Sequence, residues 1–182
     1  MRLLPYTAIA AIASLASAQD ATIVYRLGKD TAAVEQFNRS ASKLTGEMVQ
    51  RTGAAVVRTQ YELMLDKGRV ASATYRRRQP DGSPLPNQPV EYRFTFRSDS
   101  AVREVQFADS TQRRAFAAPN AVPGAMTFMY ASMEVIAAMG KGKRDSIPAL
   151  GLGGNAVGYL GLEQLVGDTL RIKASGGAYP MI

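Results

Sequence analysis

Residues 55–65 alternate between apolar and polar side chains with a period of two. Val57, Thr59, Tyr61, Leu63 and Leu65 share one face, and Arg58, Gln60 and Glu62 share the other. That period marks a half-buried strand. Residues 90–97 repeat it, with Val90, Tyr92, Phe94 and Phe96 inward and Glu91, Arg93, Thr95 and Arg97 outward. Shorter extended runs precede and follow these two. Residues 21–28 are β-branched and aromatic and end at Gly28-Lys29-Asp30, which has hairpin-turn chemistry. Residues 31–38 read as the returning strand, and 42–51 as a third strand with Gly46 as a bulge. Asp66-Lys67-Gly68 turns the chain into Val70 to Arg77. Residues 79–89, QPDGSPLPNQP, are too rich in proline to belong to an element and read as a loop within one domain. Ser98-Asp99-Ser100 and Asp109-Ser110-Thr111 bound strands at 102–107 and 112–117. The sum is an antiparallel meander with one wet face.

One long run breaks the alternation. Pro123 to Gly140, PGAMTFMYASMEVIAAMG, reads as a helix entered at Pro123 and ended at Gly140, with Lys141, Lys143 and Arg144 beside its negative end. Met126, Met129, Tyr130, Met133 and Ile136 or Ala137 follow helical spacing along one face. Phe128, Ala131, Val135 and Met139 make a second apolar face. A helix apolar on two sides must be covered on both. The expected fold is therefore mainly β with one helix, a curved antiparallel sheet packing around that helix. Its methionines either fill irregular core space or form an adaptable pocket wall.

The ends of the chain change the picture next. Met1 to Ala18 has a basic start at Arg2, an apolar stretch from Leu3 to Leu15, and a small-residue cleavage site, Ala16-Ser17-Ala18. That is the form of a secretory leader, too short to span a membrane as a helix. Residues 19–182 then make a single β-rich domain. Leu170 to Lys173 reads as a strand, Gly176-Gly177 as a turn, and Ala178 to Ile182 as the start of another strand. We expect the natural chain to continue past Ile182.

Composition narrows the chemistry. The 182 residues include 22 Lys and Arg against 15 Asp and Glu, a net +7, and no His or Cys. Losing Arg2 with the leader lowers the charge by one. Without Cys an exported fold relies on packing alone. Without His and Cys the Ser-His-Asp and Cys-His systems and the usual zinc and copper ligands are absent. Carboxylate chemistry, Ser-Lys pairs and oxygen-ligand metals remain. Glu35, Glu47, Glu62, Glu91, Glu104, Glu134 and Glu163 are scattered singly and read as a solvated face, with Glu134 paired to an Arg or reaching solvent. The glycine cluster Gly151 to Gly158 lacks the G-K-[ST] of a phosphate loop and reads as a flexible turn. Nothing implies a cofactor.

Arg76, Arg77 and Arg78 run together, and Arg93 and Arg97 lie on a neighbouring strand. Aligned outward faces would make these five a positive patch, suited either to cross-strand Glu–Arg pairs or to an anionic membrane surface or envelope polyanion. The nearby aromatics point inward, so nucleic-acid stacking is unsupported.

The alternating strands at 55–65 and 90–97, the apolar helix at 125–139 and the leader together resemble the half-barrel proteins of the bacterial envelope. These include outer-membrane lipoprotein carriers and their periplasmic relatives. The resemblance implies a curved sheet clasping a helix and an apolar groove for acyl chains. Tyr61, Leu63, Tyr92, Phe94, Phe96, Met126, Met129, Tyr130 and Met133 would line that groove, with lipid or a lipidated protein as partner. The other expectation is a structural or interaction protein of the envelope with a solid core and a basic contact face. Both are binding roles rather than catalytic ones.

Overall fold

The hairpin signals assemble in chain order. In the computed structural model, residues 19–124, 129–140, 146–153, 155–164 and 170–175 are described. Eight strands, β1 (Gln19–Leu27), β2 (Asp30–Arg39), β3 (Lys43–Thr52), β4 (Ala55–Asp66), β5 (Arg69–Arg78), β6 (Glu91–Phe96), β7 (Ser100–Gln106) and β8 (Thr111–Ala117), form one antiparallel meander in sequence order. The sheet is not closed into a barrel. The turn at Lys67 and Gly68 has positive φ at both residues, 50° and 75°, the geometry that matches the twist of a two-residue hairpin.

Period two then sorts the side chains. Tyr61, Tyr75 and Tyr92 are register partners across β4, β5 and β6. Leu44, Leu63, Ala73 and Phe94 form the next inward row across β3 to β6. All are buried. Phe94 meets Tyr75 edge-on at 6.0 Å between centroids and stacks on Phe96 at 5.9 Å. Each such side chain contributes about 1.5–3 kcal/mol by leaving water. The opposite face carries Gln60, Arg76 and Glu91 in one row and Glu62, Thr74 and Arg93 in the next.

A second sheet follows. β9 (Val122–Pro123) runs parallel to β10 (Ser146–Leu150), which pairs antiparallel with β11 (Gly158–Gln164), and that with β12 (Leu170–Ser175). Pro123 is thus not the entry of the helix. It lies on the edge strand of this sheet, where a residue without an N–H is tolerated. The helix, α1, covers Tyr130–Gly140 only. Met126 and Phe128 lie outside the described residues, as do Met1 to Ala18, Lys141 to Arg144 and the turn and strand expected at 176–182.

The buried side of α1 also differs from expectation. Ala131, Ser132, Val135 and Ile136 are buried, whereas Tyr130 is 54% exposed and Met133 half-buried. Small and branched side chains thus make up the buried side of the helix, and the larger Tyr130 faces outward. Met129, Ala131 and Val135 belong to the buried cluster that contains Tyr61, Tyr92 and Phe94. Ile136 belongs to a second cluster with Val122, Ile147, Ala149, Leu160 and Leu162, and Met139 packs against both. Glu134 pairs with Arg39 at 3.2 Å, as one of its two expected outcomes.

Candidate functional site

The most unusual polar group is inside. In β2 the inward set is Ala33, Glu35 and Phe37, so a carboxylate takes the middle of an apolar row. Glu35 is 0% exposed, not part of a solvated face as expected. A buried carboxylate must be hydrogen-bonded to survive there. The Tyr61 hydroxyl donates to Glu35 Oε1 at 2.7 Å, and the Tyr25 hydroxyl to Oε2 at 2.8 Å. The third donor is the Tyr130 backbone N–H, 2.8 Å from Oε2 and 2.9 Å from the Tyr25 oxygen.

Tyr130 is the first residue of α1. The carbonyl of Met129 accepts the first helical bond, from Met133 N–H, which makes Met129 the N-cap. A thioether cannot satisfy the free N–H groups of a first turn. That turn also holds no acidic residue. Glu35, 95 positions away, supplies both the acceptor and the negative charge that a helix start favours. Glu35 is itself 0% exposed, and its bonds run to β1, to β4 and to the start of α1. The constellation therefore joins helix to sheet.

Burial and, behind it, the Glu35 carboxylate push the Tyr25 and Tyr61 phenols far above their ordinary value; burial alone does so for Tyr75. In each case the folded value lies above the unfolded one near 10. Their contribution to stability is therefore whole below about pH 10. Above it the unfolded chain releases protons that the folded chain keeps, and stability falls. We expect ultraviolet titration to show these three phenols ionising only with unfolding, out of eight tyrosines in the chain. Smooth ionisation of all of them while the fold persists would contradict that placement.

Six of the expected pocket residues are brought together. Tyr61, Leu63, Tyr92, Phe94, Phe96 and Met129 are buried in a single cluster, whereas Tyr130 is exposed and Met133 half-buried outside it. Gly46 is not a bulge: the register runs through it in both ladders. It is glycine because Tyr61 lies over it, where a Cβ would fall 2.3 Å from the ring and hydroxyl. An open depression of about 610 Å³ crosses β1 to β3, lined largely by polar side chains including Asp20, Thr22, Gln36, Asn38 and Glu47.

On the outward face the arginines are partly neutralised. Arg76 and Arg93 both hold Glu91, which is only 6% exposed beneath them and so is not solvated as expected. Arg58 holds Glu47 at 2.6 Å, and Arg113 holds Glu104 at 3.2 Å. Arg77 reaches Gln88 and Arg78 the carbonyl of Gly82. Arg97 is exposed at the end of β6. Arg103 was not singled out for the interior, yet it points inward. It shares parity with Ala101 and Val105, stacks over Phe116 at 5.5 Å, and donates to the Gly151 and Leu152 carbonyls. Desolvation and Arg114 lower its pKa from the ordinary arginine value. The glycine cluster thus turns carbonyls to a cation there, the reverse of a phosphate-binding nest.

Among the described residues no group of three or more acidic side chains converges as a metal site would. Comparison with protein-family models, with curated proteins and with solved structures finds no match for the chain.

Proposed function

We propose that the chain is an exported, non-catalytic interaction protein of the cell envelope. In this reading its curved sheet clasps α1 as a half-barrel, its interior is filled, and its outward basic face meets an anionic surface. The observation that carries the reading is the mutual burial of Tyr61, Leu63, Tyr92, Phe94, Phe96 and Met129 in one cluster, with Glu35 tying the helix start to the same sheet. A filled interior of this kind would leave no room for an acyl chain. The leader-like Met1 to Ala18 supports export. The surplus of guanidinium groups on β4 to β6 supports an anionic partner. There Arg58, Arg76, Arg78 and Arg93 stand against Glu47, Glu91 and Glu62, the last of these held by Lys43.

Two assays on the same protein test this. Native mass spectrometry should give the bare chain mass, and co-purified lipid would return the acyl-groove reading. Sedimentation with vesicles should show binding to phosphatidylglycerol-containing membranes and not to phosphatidylcholine. Arg76 and Arg93 are poor positions to change, because Glu91 would be left buried without its cations. Arg78→Gln with Arg97→Gln should weaken vesicle binding about tenfold or more, at roughly 1 kcal/mol per basic residue near such a surface. Equal binding to both kinds of vesicle would sink the surface reading.

A further inference from the structure

Three guanidinium groups converge on the outward face. Arg58 and Arg78 stand directly opposite each other in the β4–β5 ladder, and Arg76 faces Gln60 one row away. Like charges opposed across a ladder are unfavourable unless something between them compensates. Between them is a cavity of about 40 Å³ lined by Arg58, Gln60, Arg76 and Arg78. That is several times the roughly 10–15 Å³ that one water needs.

The donors are oriented but not exhausted. Glu47 holds the far end of Arg58, and the Arg58 Nε–H is buried with no hydrogen-bond partner. Glu91 holds Arg76 from the other side. Among the described residues Arg78 reaches a backbone carbonyl, Gly82 O at 3.3 Å, and no carboxylate. The two flanking carboxylates thus fix two of the forks while the third charge stays uncompensated. Planar carboxylates are already present and do not fill the cleft. A tetrahedral oxyanion has oxygens enough to face three forks at once, and arginine suits that recognition.

We propose that the cleft between Arg58, Arg76 and Arg78 is a binding site for a phosphate group, either the headgroup of an anionic phospholipid or a free phosphate ester. The site deepens the anionic-surface reading above and rests on it for the lipid source only.

Titration calorimetry of inorganic phosphate into the full chain tests the site. One saturable event is expected. Arg78→Gln should weaken it about tenfold, the value of one charge-assisted hydrogen bond, with the far-ultraviolet spectrum unchanged. Arg97→Gln removes the same charge from the end of β6 and should leave phosphate binding as it was. No saturable heat up to tens of millimolar phosphate overturns the proposal, as does equal weakening by both variants, which would mean diffuse attraction alone. Vesicles distinguish the source. Phosphate that displaces the chain from phosphatidylglycerol membranes assigns the site to the headgroup. Phosphate held with no vesicle binding at all supports the site for a free ester and sinks the surface reading instead.

Discussion

Glu35→Leu is expected to destabilise the fold by about 3–5 kcal/mol, a large part of the roughly 5–15 kcal/mol that holds a domain together. The loss does not come from the leucine, which suits an inward position of β2. It comes from what the carboxylate leaves behind. The Tyr61 hydroxyl loses its acceptor, and the Tyr25 hydroxyl and the Tyr130 N–H lose the charged oxygen they share, the N–H keeping only the neutral Tyr25 oxygen at 2.9 Å. A buried donor without a partner costs about 1–3 kcal/mol. The same argument predicts a rescue. Adding Tyr61→Phe removes the orphaned buried hydroxyl, so the double variant should recover part of the loss, with Tyr25 left in place to accept from the Tyr130 N–H. Urea unfolding followed by circular dichroism reads both effects. A Glu35→Leu midpoint within error of the parent would show that the carboxylate does not join helix to sheet.

Gly46→Ala should be nearly as damaging, for a steric reason. The new methyl would sit 2.3 Å from Tyr61 and 2.8 Å from the Gln36 carbonyl oxygen. Neither can step aside. Gln36 O belongs to the backbone of β2, beside the ladder to β3. Tyr61 is held by its bond to Glu35 and lies beside Tyr75 in the adjacent strand. Overpacking of this kind costs about 1–3 kcal/mol and occasionally more, and the fixed ring places this case at the upper end. Tyr61→Leu removes the ring and should make Gly46→Ala much cheaper in that background. A double-mutant cycle with no coupling would mean that the ring does not lie over Gly46.

The meander was legible because β4 and β6 alternate cleanly and the turns between strands carry Gly, Asp and Ser. The same rule, applied to shorter runs, reaches further. In β2 the parity that puts Ala33 and Phe37 inside also puts Glu35 there, and in β7 Ala101 and Val105 carry Arg103 with them. Their charge argued for the surface, but parity was the stronger signal, since a one-residue slip would expose the whole apolar row. Glu91 shows the opposite case. Its outward direction followed from alternation, but its burial depends on Arg76 and Arg93 folding over it from β5 and from its own strand. The start of α1 was not legible at all. Pro123 imitates a helix entry and serves an edge strand, while the true start, at Tyr130, follows a methionine with no capping chemistry. Its cap comes from a strand far away in sequence, which no local pattern could reveal.

The described pocket residues of the sheet were assigned to the right face, and whether they fill the space between them was left open between a solid core and a groove. Period two tells which side chains share a space; it does not tell whether they fill it. Their register places Tyr61, Tyr75 and Tyr92 in one row, with Phe94 in the next.

Amide hydrogen exchange at Tyr130 tests the join between helix and sheet most directly. The first N–H of a helix has no partner within the helix and ordinarily exchanges fast. Here it should exchange as slowly as the amides of β4 and β5, and become fast when Glu35→Leu is combined with Tyr25→Phe, which removes both oxygens it reaches. A Tyr130 amide that exchanges at the rate of an open chain in the parent protein would contradict the account.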